Sequence, residues 1–317
     1  LQELKKIYPN IQLLYTQLDW NTVIKNESNH SSNLVPSDSL DEWICDECGD
    51  KLYDTGWYCA SEDAIKYLMD PRVYLDPQNI FQFQKLDTYA GTLNIDAIRI
   101  ATENSFLYDE SCINALYNTS RDNNVNAFHL ITRIIQEQGR NGTSTLSSGE
   151  KYIGTDGVEY EGLYNLFSIG ATGSSTAAVK TNALARAKAE NWTSRASSIE
   201  GGGKFVKEKY LDRKQNTLYL QKFDVNDEDG SLYWHQYMQN LFAAKNEANL
   251  MYTAYSKANL LNNRDFEFII PIYENMPKEI TEEPKSTYIG DINTESIEMN
   301  IAQNEEGKYY ISGEIYI

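Results

Sequence analysis

The stretch Asn126-Ala-Phe-His-Leu-Ile-Thr-Arg-Ile-Ile-Gln-Glu-Gln-Gly139 carries the clearest helical pattern in the chain. Asn126 can cap the first turn with its side-chain oxygen, and Gly139 can end the helix. The apolar residues recur at three- and four-residue spacing, which is typical of one helix face, and they are Ala127, Leu130, Ile131, Ile134 and Ile135. The stretch therefore predicts an amphipathic helix with one buried face.

Glu137 lies in the last turn of this helix, on or beside the apolar face. Partial burial and the negative end of the helix dipole both disfavour a carboxylate, so both raise the pKa of this side chain. A carboxyl group that stays protonated near neutral pH can protonate the departing oxygen of a glycosidic bond. Periodicity alone favours the simpler interpretation, a solvated Glu near a helix end, so the chemical role needs further evidence.

A β-hairpin is predicted over residues 151–160, with its turn at Asp156-Gly157. Strand alternation puts Glu159 and Glu161 on one face and Tyr160 on the other. Either Glu could serve as the base for an attacking water or stabilise an oxocarbenium-like transition state. The alternative is a solvated hairpin face.

Further helices are predicted over residues 61–69, 111–121, 176–191 and 198–211, and within 232–261.

The composition limits the classes of function. The 317 residues are 41% hydrophobic, enough for a large globular domain with a smaller appendage. No apolar run approaches the roughly 18 residues of a membrane span. A net charge of −18 argues against nucleic acid and against anionic lipid as partners. The start at Leu1, without a signal peptide, indicates a mature or trimmed chain.

The cysteines and histidines allow several interpretations. Cys45-Asp-Glu-Cys48 has metal-ligand spacing, and Cys59 and Cys112 complete the set. Free thiols, disulfides and a structural zinc site with Cys112 as a distant ligand all remain open. His30, His129 and His235 form no His-x-x-x-His pair, so we expect no catalytic metal and no cofactor.

Several motifs together resemble glycoside hydrolase family 73, the endo-β-N-acetylglucosaminidases. Residues 128–139 are similar to the catalytic helix of that family, and Tyr164-Asn-Leu-Phe-Ser-Ile-Gly-Ala171 is similar to its Tyr-Asn-x-Phe-x-Ile-Gly-Ala segment. Residues 216–223 and 234–240 resemble later blocks of the family. Leu18-Asp-Trp-Asn-Thr-Val23, Tyr53-Asp-Thr-Gly-Trp57, Met69-Asp-Pro-Arg72 and residues 266–277 resemble clostridial-type autolysins of the same family.

The resemblance implies a fold and a domain plan. The fold is an α+β, mainly α, lysozyme-like catalytic core with a small β-hairpin lobe and an N-terminal mixed region. We expect residues 1–90 to pack on or beside the core, residues 91–275 to form the catalytic domain, and residues 276–317 to be a linker and the start of a β-rich module.

The resemblance also implies hydrolysis of the GlcNAc-β-1,4-MurNAc bond of peptidoglycan. Glu137 is then the general acid, Glu159 or Glu161 the second catalytic group, and Tyr219 lies near the cleaved sugar. The expected substrate-binding residues are Tyr164, Asn165, Gln138 and Phe167. The mechanism, whether inverting, retaining or assisted by the substrate's N-acetyl group, stays open. A lytic transglycosylase and a non-catalytic wall-binding module are the alternatives. We expect a secreted, monomeric protein of the cell wall whose partner is the glycan strand.

Overall fold

The computed structural model describes residues 1–29, 31–48, 56–87, 91–226, 230, 232–285, 300–303 and 309–312. Over these residues the α-helices are Gln2–Ile7 (α1), Trp20–Glu27 (α2), Glu62–Met69 (α3), Ile95–Thr102 (α4), Glu110–Asn123 (α5), Ala127–Gln138 (α6), Thr145–Ser148 (α7), Thr176–Ala189 (α8), Arg195–Val206 (α9), Leu218–Phe223 (α10) and Ala243–Lys257 (α11). The strands are Asn10–Asp19 (β1), Leu34–Pro36 (β2), Trp57–Cys59 (β3), Tyr152–Ile153 (β4), Glu159–Tyr160 (β5), Glu267–Glu274 (β6), Asn300–Gln303 (β7) and Tyr309–Ser312 (β8).

Helix α6 lies at the centre of the fold, and its predicted ends are confirmed. The side chain of Asn126 accepts a hydrogen bond from the backbone N–H of Phe128 at 2.9 Å. Gly139 ends the helix at a φ of +69°, a left-handed value that favours glycine. The helix contacts α4, α5 and α11, so most of its length is buried.

Other predicted elements are also observed. The side-chain oxygen of Ser61 caps α3 by accepting a hydrogen bond from the backbone of Ala64. Strands β4 and β5 form the predicted antiparallel hairpin, with Tyr152 opposite Tyr160. Helix α8 covers most of the predicted stretch from 176 to 191. The mainly helical α+β class is therefore confirmed.

One sequence prediction is wrong over part of its length. The stretch 232–261 is helical only from Ala243, because backbone N–H groups before that point bind other elements. The N–H of Tyr237 donates to the carbonyl of Gln221 at 2.7 Å, and that of Leu241 donates to the carbonyl of Leu34 at 2.9 Å. The helix predicted over 198–211 is observed. It begins at Arg195, contains the glycines 201–203, and continues as a turn of π-helix through residues 207–211.

The N-terminal residues share a core with the rest of the chain. Strand β1 pairs in parallel with β6, so Leu13 lies opposite Ile270. One cluster of buried apolar side chains includes Leu4, Ile131 and Tyr273. The predicted domain boundaries at residues 90 and 275 remain predictions.

Three of the cysteines lie together in the N-terminal region. Cys48 and Cys59 are joined as a disulfide, and the Sγ atoms of Cys45, Cys48 and Cys59 all lie within 4.8 Å of one another. Cys112 is buried in α5 and is not part of this cluster, so its prediction as a distant ligand is wrong.

Parts of the sequence predictions concern residues that lie outside the described ranges. These are residue 30, residues 53–55 of the quoted 53–57 block, and much of the segment 276–317, predicted as a linker and the start of a β-rich module. Within that segment β7 and β8 pair as antiparallel strands. Over the ranges described, no helix has the length and apolar character needed to cross a bilayer.

Candidate active site

A cavity of about 750 Å³ opens beside the last turn of α6. Its walls come from α6, the loop 167–172, one residue of α8, the end of α9 with the π turn after it, the segment 234–239 and residues 31–32. The lining residues that bear on its chemistry are Arg133, Glu137, Phe167, Ser168, Trp234, Gln236, Tyr237 and Met238. Among the described residues that line it, Glu137 is the single carboxyl group.

Glu137 is partly buried, and its carboxylate accepts a short hydrogen bond from the hydroxyl of Tyr237. Burial raises the pKa of the Glu137 carboxyl above its ordinary value. Hydrogen bonds from Tyr237 and Ser168 and the charge of Arg133 oppose this shift without cancelling it. The site therefore favours a protonated carboxyl group at the edge of a cavity.

Arg133 fixes the position of Tyr237 on the inner side of the cavity. The guanidinium carbon lies 3.4 Å from the centroid of the Tyr237 ring, in cation–π contact. Arg133 also donates to Glu247 at 2.8 Å and to Gln221 at 2.7 Å. Nδ1 of His129 lies 2.7 Å from the other oxygen of the Glu247 carboxylate. This buried network ties α6, α10 and α11 together directly behind Glu137.

A second buried network holds the segment 234–239. Nζ of Lys222 donates to Oδ1 of Asn33 at 2.6 Å and to the carbonyl of Met238 at 3.0 Å. The carboxylate of Glu27 accepts from the amides of Asn33 and Gln236 at 2.7–2.9 Å. Burial raises the pKa of the Glu27 carboxyl and lowers that of the Lys222 ammonium, while each charge opposes the shift of the other. The network links the N-terminal residues to the cavity wall.

Two of the predicted substrate-binding residues, Gln138 and Asn165, lie behind the cavity wall and hold part of it in place. The buried Asn165 amide donates to the carbonyls of Ile169 and Ala183 at 2.8 and 2.9 Å. The Gln138 amide donates to the Leu166 carbonyl at 3.2 Å and to the Ser168 hydroxyl at 3.0 Å. These bonds fix the loop that carries Phe167 and Ser168 into the cavity wall. Neither amide is itself among the lining residues.

The remaining predicted residues are placed differently. Tyr219 is fully buried, and its hydroxyl bonds the carbonyl of Met69 at 2.6 Å and the hydroxyl of Tyr273 at 2.7 Å. The structure thus puts Tyr219 in the core rather than in the cleft, because α10 turns this face toward β6. Tyr164 is half-buried and lies against Gly149, away from the cavity lining.

The structure does not bring the hairpin carboxylates to Glu137. Glu159 and Glu161 are exposed, and neither lines the cavity. Glu159 pairs with Lys151 at 2.6 Å, and both side chains are exposed to solvent. Their assignment as the second catalytic group remains a prediction.

Sequence reasoning did not assign Tyr237 or Trp234 to the site. Both lie in the block 234–240, whose resemblance to the family could have indicated them. The helical pattern over 232–261 instead predicted that Tyr237 lies on one face of a helix. Trp234 lines the cavity with 77% of its surface exposed. An exposed indole at a cavity rim is a flat apolar surface suited to a sugar ring.

Autolysins are similar to this chain in sequence. The chain is 28% identical over 224 residues to the bifunctional autolysin of Staphylococcus epidermidis, a match that covers 69% of this chain and 16% of that protein. It is also 28% identical over 211 residues to the bifunctional autolysin of Staphylococcus aureus, covering 63% and 16% respectively. The chain thus spans about a sixth of the length of these relatives. No family model matches it.

Solved structures share its fold. The crystal structure of a major bifunctional autolysin aligns with a TM-score of 0.54 at 22% identity, covering 83% of this chain and 98% of that one. S. aureus glucosaminidase B aligns with a TM-score of 0.55 at 22% identity, covering 86% and 97%. A catalytic mutant of S. aureus autolysin E in complex with the disaccharide NAG-NAM aligns with a TM-score of 0.53 at 18% identity, covering 75% and 91%. The chain is homologous to part of the bifunctional autolysins, which confirms the resemblance that its motifs indicate.

Proposed function

We propose that this chain is a peptidoglycan hydrolase that cleaves the GlcNAc-β-1,4-MurNAc bond, with Glu137 as its general acid. The observation that carries the proposal is one partly buried carboxyl group, with a raised pKa, on the wall of a 750 Å³ cavity. Homology to bifunctional autolysins and the disaccharide bound to the related autolysin E support this substrate class. We further propose a lysozyme-like core, secretion to the cell wall and action as a monomer.

The proposed reaction begins with proton transfer from Glu137 to the departing glycosidic oxygen. The carboxylate that forms is stabilised by the hydroxyl of Tyr237, which already donates to it. The cation of Arg133 stacks on the Tyr237 ring, and its positive charge also stabilises the carboxylate form of Glu137. Trp234 and Phe167 offer apolar surfaces for the sugar rings at the cavity wall.

A second group attacks or stabilises the sugar from the side opposite to Glu137. With Glu137 as the single carboxyl among the described lining residues, we propose that the substrate's own N-acetyl group supplies the nucleophile. A hairpin carboxylate that moves toward the cavity, Glu159 or Glu161, is the alternative. Because both are exposed and lie outside the lining, we expect their removal to cost little.

Muropeptide analysis tests the proposed function. Purified cell walls are digested with the wild-type chain and with Glu137→Gln, and the products are separated and identified by mass spectrometry. The wild type should release fragments with reducing GlcNAc ends. Glu137→Gln should lower the rate by roughly 10²- to 10⁴-fold, the usual contribution of a general acid. Near-normal release by this variant contradicts the proposal.

The same experiment separates the alternatives. Fragments that end in 1,6-anhydro-MurNAc would identify a lytic transglycosylase. No release by the wild type, together with retained wall binding, would identify a binding module. Glu159→Gln and Glu161→Gln serve as matched controls at exposed positions. A loss from either that equals the loss from Glu137→Gln would assign the second catalytic role to the hairpin.

A further inference from the structure

Trp234 places a large apolar side chain in solvent at the rim of the cavity. With 77% of its surface exposed, it is the most exposed of the large hydrophobic side chains in the described ranges. Its indole lines the same cavity as Glu137. Apolar surface is more stable away from water, so an indole that stays outside the core gains free energy when a ligand covers it.

Asp224 fixes the backbone beneath this indole. Its side chain is buried, and one carboxylate oxygen accepts hydrogen bonds from the backbone N–H groups of Trp234 at 3.1 Å and His235 at 2.8 Å. The backbone carbonyl of Asp224 accepts from the N–H of Tyr233 at 3.0 Å. The amide of Gln215 donates to the carbonyl of His235 at 2.8 Å. One buried residue therefore binds three consecutive N–H groups around an exposed side chain.

The backbone just before the indole is strained. Tyr233 has a φ of +63°, a left-handed value that is unfavourable for a bulky residue. Such strain persists where surrounding contacts enforce it, and it concentrates at ligand-binding sites. The bonds to Asp224 provide that enforcement. A backbone that is already ordered loses less freedom when a ligand binds, so this arrangement favours binding at Trp234.

The chemistry of the cavity favours an uncharged ligand that carries hydroxyl groups. Arg133 and Glu137 are the only acidic or basic residues among the described lining residues. Arg133 is paired with Glu247, and Glu137 is bound by Tyr237. Amide and hydroxyl side chains also line the cavity, and they are Ser31, Ser32, Gln236 and Gln239. A β-linked hexosamine ring has C–H groups on its faces and polar groups at its edges, so it suits both the indole and these side chains.

We propose that Trp234 forms a binding subsite for a sugar ring of the glycan strand that flanks the bond to be cleaved, with Asp224 as the positioning residue. The subsite lies at the rim, whereas the proposed acid lies in the cavity wall. The proposal rests on the substrate class of the proposed function, but it does not depend on the catalytic role of Glu137.

Titration calorimetry with denuded glycan strands, from which an amidase has removed the stem peptides, tests the subsite. The full chain carries Glu137→Gln, so that binding is followed without cleavage. Trp234→Ala in this background should weaken strand binding roughly 10-fold or more, the usual loss on truncation of a dominant aromatic contact. Trp234→Phe should recover part of the affinity because it keeps an aromatic face. Tyr15→Ala, at a 68% exposed aromatic on β1 outside the cavity lining, is the matched control and should bind like its parent.

Fluorine NMR reports on the indole itself. The chain has five tryptophans, so labelling with 5-fluorotryptophan gives five signals, and the signal that disappears in Trp234→Phe identifies residue 234. This signal should shift when denuded strands are added to the Glu137→Gln chain, because a sugar ring then covers the indole.

Variants of Asp224 test its positioning role. The φ of Asp224 is +47°, a value that glycine and asparagine both adopt, so neither replacement adds backbone strain. Asp224→Asn keeps an oxygen acceptor and should retain the affinity for denuded strands. Asp224→Gly removes the acceptor and should lose affinity several-fold, while circular dichroism shows that the fold is kept.

Several outcomes would overturn the proposal. Equal strand affinity of Trp234→Ala and its parent, no binding of denuded strands by the parent, or an unshifted fluorine signal removes the subsite. A loss that appears only with peptide-bearing fragments assigns the indole to the stem peptide instead. Equal affinity of Asp224→Gly and Asp224→Asn removes the role of Asp224. Mass spectrometry of the titrated strands shows whether Glu137→Gln has cleaved them, so failure of the proposed acid is recorded separately.

Discussion

Glu137 and Tyr237 meet although they lie 100 positions apart in the chain. The acid comes from the end of a helix, and the phenol comes from an irregular segment that the buried Arg133 positions through its ring contact. At this scale the site consists of a carboxyl group whose pKa burial raises and a hydroxyl that can stabilise its anion. The strength of the proposed catalysis depends on the balance between these two effects.

Tyr237→Phe tests that balance. The Tyr237 hydroxyl lowers the pKa of Glu137, so its removal should raise that pKa further. Glu137 acts in its protonated form, and activity is lost as pH rises through its pKa. The alkaline limb of the kcat/KM profile should therefore move to higher pH. We also expect the maximum rate to fall roughly 10- to 150-fold, since a hydrogen bond to a charged group contributes about 1.5–3 kcal/mol and each 1.36 kcal/mol is tenfold in rate.

A tyrosine outside the cavity gives the control for this measurement. Tyr152→Phe removes a hydroxyl that bonds the carbonyl of Ala177 on the hairpin side. Its pH profile should match the wild type. An unshifted alkaline limb in Tyr237→Phe would mean that the hydroxyl does not set the pKa of the acid.

The location of Tyr219 could not be predicted from its motif. Its motif indicated a residue near the cleaved sugar, but a motif does not tell which side of a short helix meets the core. The structure buries Tyr219 against Phe83 and Tyr273. The place of Glu137 beside the apolar face was predictable, because its helix is long and strongly periodic, but its chemical role was indicated only by the family resemblance.

Among the elements, α6 was predictable from its own sequence and the segment 232–242 was not. The helix uses local hydrogen bonds, an Asn cap and a terminal Gly, all of which are visible in sequence. The segment 232–242 bonds to α10 and β2 instead, through partners far away in the chain. Apolar spacing cannot reveal such partners, and this is why Tyr237 was assigned to a helix.

Lys222→Met tests whether the buried Lys222–Glu27 network supports this segment. Loss of the ammonium group leaves the Glu27 carboxyl buried without its cation, and removal of one partner of a buried pair costs about 3–5 kcal/mol. Urea unfolding should report that loss in the free energy of unfolding. Lys204→Met, at an exposed position on α9, should change it little.

A double variant separates charge from packing. Glu27→Leu with Lys222→Met replaces both ionisable members of the network by apolar groups, which should recover part of the lost stability. If the single Lys222→Met variant is as stable as the wild type, the network does not hold the cavity wall.

On the scale of the whole molecule, contacts between distant parts of the chain close the fold. Strand β1 pairs with β6. Asp70 and Arg72, which follow α3, bind the segment after β6: Arg72 donates to the carbonyls of Pro277 and Glu279 at 2.7 and 2.9 Å, and Asp70 accepts from Thr281 at 3.0 Å. Composition predicted a globular chain, but it could not predict that residues 277–281 dock on the N-terminal region.

Arg72→Ala should release this docked segment. The carbonyls of residues 277–279 then lose their donors, and the backbone around the exposed Lys278 is freer to open into the active site of trypsin. We expect cleavage after Lys278 to be roughly 10-fold faster under native conditions, because local opening costs less free energy. Lys66→Ala, on α3 in an exposed ion pair, is the control. Equal cleavage rates in Arg72→Ala and the wild type would show that other contacts hold the segment.

The central claim is that the fold keeps the carboxyl group of Glu137 protonated beyond the range of an ordinary Glu. Carbon-13 NMR of the side-chain carboxyl groups, recorded from acid to alkaline pH, measures this pKa directly. The signal that disappears in Glu137→Gln identifies the residue. A titration midpoint clearly above about 4.3, the usual Glu value, is the predicted result. A midpoint at or below that value would contradict the account.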